Sequence, residues 1–420
     1  MAKKFILCKL CLIIFGALLA LQSVSAKNWN GGLAKTDRNG CIAEKSSPNL
    51  DQLRRALTDC FNKDRSRNGR IRGPLSDSPR KLAFDVSENE YVDRQLAKTG
   101  LISYLLYRNG KVVTDAITPK DRLGDLFDNT TIHNSQSVGK TLTGYLMGHA
   151  ICEGYISGLD QTISDWPLMQ GTPYENKKII DLINMNVGDA AYVRSSRILF
   201  NNPNNHRGVD HQTMRYWGQA LQDKRKLRRS GFNYSQLVSN MMHNYIQFKA
   251  GNEYRLINDT KMFNTDSGYE RLIDLVYRQK AGIEYGLELG RNDQWGFPED
   301  GLMNTNVLAT RYDYLRIFIA MLEDWRNDTC VGKYLKDLYE RSVSGLPGDK
   351  TTLNNSTFRR YNYGGYFYID VRGTGRNVYG TSGFGGQKFF VNFDTGTIVI
   401  AQAVHQDYDL STLIFDVVSE

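Results

Sequence analysis

Segments with strand character stand at both ends of the body of this chain, and helical patterns fill the part between them. Residues 101–116 contain two runs of aliphatic and aromatic side chains separated by an Asn-Gly pair, a strong signal for a β-hairpin. Residues 387–404 show the same arrangement around an Asp-Thr-Gly turn. We therefore expect an α/β chain of the α+β type. Its antiparallel sheet would be built from both ends and flanked by helices, with a mainly helical subdomain inserted at about residues 155–300.

The first 26 residues have the pattern of a secretory signal peptide. Lys3 and Lys4 precede an apolar stretch at residues 12–21, and small residues at 24–26 form a cleavage site. Lys9 interrupts the wider apolar region of residues 5–21, which argues against a membrane-spanning helix. The sequence thus predicts export of a soluble protein, without stable membrane insertion, to a periplasm or to the outside of the cell.

A polar, irregular N-terminal extension follows at residues 27–85. After removal of the signal peptide the remaining cysteines are Cys41, Cys60, Cys152 and Cys330. An oxidising compartment permits disulfides, but four cysteines allow three pairings and the sequence does not choose among them. A bond between Cys41 and Cys60 would pin the extension. Cys152 lies in an apolar helical pattern and is expected to be a buried thiol.

Charge and motifs argue against several other function classes. The net charge is +8 at pH 7, and the densest basic run lies at residues 224–229. That run is more typical of a solvated surface than of a nucleic-acid site, because no nucleic-acid-binding module accompanies it. The six histidines show no metal-ligand spacing, and no cofactor motif is present. We expect no nucleic-acid partner, metal or other cofactor, and the oligomeric state stays open.

Ser137-Val138-Gly139-Lys140 stands at the head of an apolar run that predicts a helix ending near residue 153. Side chains three residues apart share one face of a helix, so this serine and this lysine can meet. A serine hydroxyl needs a neighbouring base to become a nucleophile, and a partly desolvated lysine with a lowered pKa can serve. The alternative interpretation is a helix-capping serine followed by a solvated lysine.

Four blocks of sequence resemble the serine β-lactamase superfamily, and they occur in the family's order. They are SQSVGKTLTG at 135–144, LINMNVG at 182–188, GL at 301–302 with ATRYDYL at 309–315, and YGTSGFGGQ at 379–387. Within the superfamily the chain is similar to the branch of class C β-lactamases, esterases, D-amino-acid peptidases and 6-aminohexanoate-dimer hydrolases, and most similar to the dimer-hydrolase and esterase part. The resemblance implies a β-lactamase-like serine hydrolase domain, which we place at residues 86–420.

The resemblance also implies roles for individual residues. Ser137 would attack a carbonyl carbon and form an acyl-enzyme, with Lys140 as its base partner. The backbone N–H groups of Ser137 and Phe384 would form the oxyanion hole. Other residues of the active-site strand and its glycine turn would bind substrate, namely Thr381, Ser382, Gly383, Gly385 and Gly386.

One catalytic element departs from the family pattern. The superfamily carries a Tyr-x-Asn or Tyr-x-Ser motif whose tyrosine bridges the serine and the lysine. In the best-matching segment Leu256 takes the tyrosine position and Asn258 the asparagine position. Three explanations stay open: Tyr254 is shifted into the role, Lys140 works without a tyrosine, or the protein has lost catalysis and kept a binding cleft.

Thr381 is a second departure, because relatives that act on β-lactams often carry lysine or histidine at this position. The sequence therefore favours a secreted serine hydrolase that cleaves a small neutral ester or amide through an acyl-enzyme at Ser137. The alternatives are a catalytically inactive binding protein on the same fold, and a true β-lactamase or peptidase.

Overall fold

The computed structural model describes residues 49–57, 70–73, 75–189, 230–251, 268–290, 307–344 and 360–420. The predicted signal peptide, Cys41, Cys60 and the basic run at 224–229 lie outside these residues. Export and the pairing of those two cysteines therefore stay predictions.

Helices lie mainly between the two groups of strands. They are α1 (Leu50–Leu57), α2 (Glu90–Lys98), α3 (Val138–Cys152), α4 (Ile179–Ile183), α5 (Gln236–Lys249), α6 (Gly268–Ile273), α7 (Arg311–Arg326), α8 (Cys330–Glu340) and α9 (Val417–Ser419). Shorter helical turns occupy Lys120–Gly124, Pro167–Met169, Asp274–Ala281, Val371–Gly373 and Ser411–Asp416. Within the described ranges, no helix combines the length and apolar character needed to cross a membrane.

The strands fall in two groups along the described chain, at residues 70–134 and 287–403. They are β1 (Arg70–Gly73), β2 (Leu101–Arg108), β3 (Lys111–Ile117), β4 (His133–Asn134), β5 (Leu287–Gly290), β6 (Val307–Ala309), β7 (Val343–Ser344), β8 (Asn362–Gly364), β9 (Phe367–Ile369), β10 (Val378–Gly383), β11 (Gln387–Asn392) and β12 (Thr397–Ala403). In the described part they form one antiparallel sheet in the order β3-β2-β12-β11-β10-β9-β8-β7 and a smaller one in the order β1-β5-β6-β4.

The main sheet joins both ends of the chain, as the sequence predicts. β2 and β3 form the expected hairpin, with Asn109 and Gly110 in the left-handed region at φ 53° and 82°. β12 then pairs with β2 through partners such as Ile400 and Leu105. The predicted α+β architecture, with an antiparallel sheet built from both ends and flanked by helices, is confirmed.

Helices cover both faces of this sheet because successive side chains of a strand point to opposite sides. Phe389 packs under α7, with its ring centroid 4.9 Å from that of Tyr314. Phe390 faces the C-terminal helical turn, 5.8 Å from the ring of Phe415. β11, the strand paired with β10, is therefore held between two helical layers.

The C-terminal end of α3 is covalently tied to α8. Cys152 forms a disulfide with Cys330, so the expectation of a buried thiol at Cys152 is wrong. Close packing of the two helices brings the cysteines together: a Cβ on Gly148 would lie 2.5 Å from the ring of Tyr334, so only glycine lets α8 approach this far. Sequence spacing could not reveal this pairing, because the two cysteines are 178 residues apart.

Candidate active site

The Ser137 hydroxyl and the Lys140 amine are in direct contact at the start of α3. Lys140 Nζ donates a hydrogen bond to Ser137 Oγ over 2.9 Å. Ser137 stands at the N-cap position, but its backbone angles are helical and its side chain makes no capping hydrogen bond. The contact that the spacing predicts is present, and the interpretation as a capping serine is wrong.

Lys140 lies in a dry environment rather than in solvent. Only 1% of its surface is exposed. Burial lowers the pKa of its ammonium group to about 7, because a low-dielectric environment disfavours the charged form. At neutral pH a large share of this amine is therefore unprotonated and able to accept the proton of Ser137.

Tyr234 completes the group and was not predicted from the sequence. Its hydroxyl forms hydrogen bonds with the side chains of Ser137 and Tyr368. Burial raises the pKa of this phenol to about 12, and the two hydrogen bonds oppose the rise. The ring centroid lies 5.1 Å from Lys140 Nζ. A protonated phenol thus borders both the hydroxyl and the amine.

Tyr234 is fixed in place by the residues on either side of it. The Asn233 N–H donates to the Met185 carbonyl over 2.8 Å, which ties the loop to the end of α4. The Ser235 side chain accepts a hydrogen bond from the Val238 N–H and caps α5. Because both neighbours are anchored, the tyrosine enters the site from the first residues before a helix.

Tyr254 and Asn258 lie in residues 252–267, outside the described part, so the roles predicted for them stay predictions. The signal for Tyr234 is weak, because Tyr234-Ser235-Gln236 carries glutamine where the family motif has asparagine or serine. The sequence offers one clue to the position of Tyr234: the next residue, Ser235, is suited to cap a helix and stands directly before the apolar helical run of α5.

The turn that carries Ser137 is held by hydrogen bonds to β6. The Ser135 N–H donates to the Val307 carbonyl over 2.7 Å, and the Val307 N–H donates to Ser135 Oγ over 2.9 Å. Gln136 adopts φ 52°, a left-handed conformation that costs a non-glycine residue about 1–2 kcal/mol. The small sheet thus holds a strained residue immediately before the nucleophile candidate.

The active-site strand β10 is only half covered on its outer edge. β9 pairs with Tyr379 and Gly380 alone, whereas β11 pairs with the strand throughout. Among the described residues, 381–383 have no strand neighbour on the β9 side. A Cβ on Gly383 would lie 2.5 Å from the Ser135 carbonyl oxygen, so the half of β10 without a β9 partner packs directly against the turn before α3.

The glycine turn after β10 has the backbone that its sequence predicts. Gly385 and Gly386 adopt φ 78° and 102°, which favour glycine strongly. Phe384 is buried in a small cluster with Leu53 of α1 and Leu123. Its neighbour Gly383 packs against the Ser135 carbonyl, so the two predicted oxyanion donors, the N–H groups of Ser137 and Phe384, belong to segments that are in contact.

Thr381 and Ser382 differ in their surroundings. Thr381 is fully buried, and within the described residues its hydroxyl has no hydrogen-bond partner. Ser382 is partly exposed and accepts a hydrogen bond from Lys388 Nζ over 2.9 Å. A buried lysine thus lies on the neighbouring strand beside Ser382, where no sequence pattern pointed to it.

The histidine on the nucleophile helix lies at its far end. His149 is buried, and its Nε2 is 3.8 Å from Asp324 Oδ2. Burial lowers the pKa of this imidazole to about 3, so it is neutral at physiological pH. In the part of the chain that the structure describes, no group of three or more His, Cys, Asp or Glu residues could hold a metal ion.

Comparison with known proteins supports the fold. No protein-family profile and no curated protein matches the sequence. A protein assigned as a 6-aminohexanoate-dimer hydrolase from Bacillus anthracis superposes with a TM-score of 0.60 at 13% identity, over 91% of this chain and 98% of its own. A protein assigned as a β-lactamase from Bacteroides dorei gives 0.51 at 12% identity, over 79% of this chain and 96% of its own. FmtA from Staphylococcus aureus gives 0.50 at 14% identity, over 82% and 93%.

These neighbours confirm the fold that the sequence resemblance implied. The chain has the fold of the serine β-lactamase superfamily, and the similarity covers most of its length. At identities of 12–14% the likeness concerns the fold alone. Function has to be argued from the residues around Ser137.

Proposed function

We propose that this protein is a serine hydrolase that cleaves an ester or amide bond through an acyl-enzyme on Ser137. The observation that carries the proposal is the contact of the Ser137 hydroxyl with both a buried amine and a buried phenol. A serine side chain is a weak nucleophile unless a base removes its proton. Lys140 can act as that base because it contacts Ser137 Oγ and has a lowered pKa. The hydrolase names of the structural neighbours are compatible with this chemistry.

Acylation begins with proton transfer from Ser137 Oγ to the neutral Lys140 amine as Oγ attacks the carbonyl carbon. The N–H groups of Ser137 and Phe384 donate to the oxygen that gains negative charge. Each such donor is worth about 3 kcal/mol of barrier in related chemistry. The Tyr234 phenol then donates its proton to the leaving alcohol or amine and is reprotonated from the Lys140 ammonium.

Deacylation reverses these roles on a water molecule. Lys140, again neutral, draws a proton from water through the Tyr234 hydroxyl, and the resulting hydroxide attacks the acyl carbon. Collapse of the second tetrahedral intermediate returns the proton to Ser137 Oγ. The cycle needs only the three side chains and the two backbone donors, and it consumes one water per bond cleaved.

Export to an oxidising compartment is part of the proposal. Its support is the pattern of the first 26 residues together with the Cys152–Cys330 disulfide, a bond that is rare in reducing compartments. The proposed substrate is a small ester or amide, and the half of β10 without a β9 partner would lie next to it, because Gly383 packs against the turn that carries Ser137.

A fluorophosphonate probe followed by peptide mass spectrometry tests the proposal. We expect label on Ser137 in the folded protein, none in Ser137→Ala, and strongly reduced label in Lys140→Met. Hydrolysis of p-nitrophenyl esters should disappear in the same two variants. If correctly folded wild-type protein takes up no label and hydrolyses no ester, the chain is a binding protein on a hydrolase fold.

A further inference from the structure

Asp189 is a buried carboxyl group that the acylation chemistry does not use. It is fully buried, and its Oδ1 accepts a hydrogen bond from Asn233 Nδ2 over 2.7 Å. Its Oδ2 accepts a second hydrogen bond from the Tyr174 hydroxyl over 3.0 Å. Burial raises the pKa of this carboxyl to about 6, so at neutral pH the group is mostly ionised and its burial costs folding free energy. What Asp189 holds in place explains why the fold carries this cost.

The carboxylate holds the residue directly before Tyr234. Asn233 is itself buried, and its side-chain amide donates to Asp189. The two segments are also joined through their backbones. The Asn233 N–H donates to the Met185 carbonyl over 2.8 Å, and the Gly188 N–H donates to the Gly231 carbonyl over 3.1 Å. Residues 185–189 thus lie beside residues 231–233 and hold them through backbone and side chain.

Both oxygens of Asp189 are needed for this contact. A carboxylate only accepts hydrogen bonds, and the Tyr174 hydroxyl and the Asn233 amide both donate to it. An asparagine at position 189 would present its own N–H donors to one of these two groups. The arrangement therefore fixes the orientation of Asn233 from one side, while the cap at Ser235 fixes the chain from the other side of Tyr234.

We propose that Asp189 is a positioning residue, which acts through Asn233 to keep the Tyr234 hydroxyl in contact with Ser137. The inference rests on the proposed hydrolase function, in which Tyr234 gives its proton to the leaving group. Proton transfer needs the donor within hydrogen-bond reach of the departing atom, and a misplacement of about 1 Å can cost about 10²-fold in rate. The hydrogen bond at Asp189 limits that movement.

Two esters with different leaving groups test the role of Asp189. The p-nitrophenolate ion of p-nitrophenyl acetate leaves readily without a proton, whereas the more basic phenolate of phenyl acetate depends on the proton donor. We expect Asp189→Ala and Asn233→Ala to lower kcat/KM for phenyl acetate about tenfold more than for p-nitrophenyl acetate. An unfolded fraction lowers both values equally and cancels in their ratio, so a merely structural role leaves the ratio unchanged.

A double variant shows whether Asp189 acts through the phenol. Tyr234→Phe removes the proton donor and should shift the ratio by itself. Adding Asp189→Ala to Tyr234→Phe should then leave the ratio where it is, because no hydroxyl remains to be positioned. A further shift in the double variant, or an unchanged ratio in Asp189→Ala and Asn233→Ala, overturns the proposal.

Asp324→Ala is the matched control. Asp324 is also a buried carboxylate that accepts a hydrogen bond from a tyrosine hydroxyl, that of Tyr145 over 2.6 Å. It lies beside Tyr145 and His149 of α3 rather than beside the loop that carries Tyr234. This variant should lower the melting temperature and keep the wild-type ratio of the two esters.

Failure of the hydrolase proposal is distinguishable from failure of the positioning role. If the wild-type protein hydrolyses neither ester, crystal structures of the wild type and of Asp189→Ala decide the role without turnover. Loss of the hydrogen bond between Tyr234 and Ser137 in the variant supports the positioning role, and its retention overturns it. If Asp189→Ala does not fold, Asn233→Ala removes the same hydrogen bond from its other end and takes its place in each measurement.

Discussion

Lys140 Nζ lies 5.1 Å from the centre of the Tyr234 ring, and both side chains contact the Ser137 hydroxyl. The amine is buried and has a pKa of about 7, whereas the phenol has a pKa of about 12. The two groups thus differ in proton affinity, which suits a base that starts the reaction and an acid that finishes it.

The rate of acylation should depend on pH through Lys140. Only the neutral amine accepts a proton, so kcat/KM for a p-nitrophenyl ester is expected to rise as the pH passes about 7 and then level off. The Tyr234 phenol, with its pKa near 12, stays protonated across the range. Steady-state rates between pH 5 and 10 check this, and a rate that falls over this range would contradict the base role.

Replacing Tyr234 by phenylalanine should remove the proton donor and leave the ring. We expect kcat to fall by about 10²–10⁴-fold with little change in KM, the usual size of a general acid–base contribution. Tyr363→Phe is the control, because its ring packs 6.2 Å from that of Tyr234 in the same aromatic cluster. Equal losses in the two variants would mean that the cluster matters only for packing.

Lys140 should also make stability depend on pH. The folded pKa of about 7 lies below the ordinary lysine pKa of 10.5, so below pH 7 the folded state carries the full free-energy cost of a buried charge. Between these values the unfolded chain binds one more proton, and stability rises by about 1.4 kcal/mol per pH unit from this group. Above pH 10.5 the cost has vanished.

Lys140→Met tests this linkage by urea unfolding at pH 6 and pH 10. The gain in unfolding free energy over the wild type is expected to be largest at pH 6 and small at pH 10. Burial also lowers the pKa of Lys388 to about 7, so this lysine adds a similar pH dependence of stability to the wild type and to the variant. The quantity to compare is therefore the difference in unfolding free energy between the two proteins. A gain that is equal at both pH values would show that Lys140 does not titrate in this way.

The disulfide should stabilise the attachment of α3 to α8. Closing a loop across 178 residues restricts the unfolded chain, and the entropic estimate is at most about 5 kcal/mol. We expect Cys152→Ser and Cys330→Ser to lower the melting temperature by similar amounts. The double variant should lose no more than either single one, since both remove the same bond. Additive losses would point to separate packing roles for the two cysteines.

Local patterns predicted the fold and the Ser137–Lys140 contact, because helical pitch and strand alternation act between residues close in sequence. The role of Tyr234 could not be predicted, because it depends on where α5 packs against α3. Its sequence motif also departs from the family pattern, with Gln236 in place of asparagine or serine. The contact of Lys388 with Ser382 was not predicted for a similar reason, because it depends on the register between β10 and β11. Cys152 was misjudged because its partner comes from a helix distant in the chain.

Gly383 provides a test of the approach between β10 and the nucleophile turn. A methyl group at this position would lie 2.5 Å from the Ser135 carbonyl oxygen and 2.8 Å from Gln387 Cβ, so Gly383→Ala has to push the strand away from Ser137. We expect kcat to fall at least about tenfold in the folded protein, because the two oxyanion donors would no longer converge.

Gly380→Ala is the control, since its methyl group would meet the Phe390 ring rather than the turn. That variant should lose melting temperature while its folded fraction keeps its turnover. If Gly383→Ala retains full activity, the strand does not take part in the reaction.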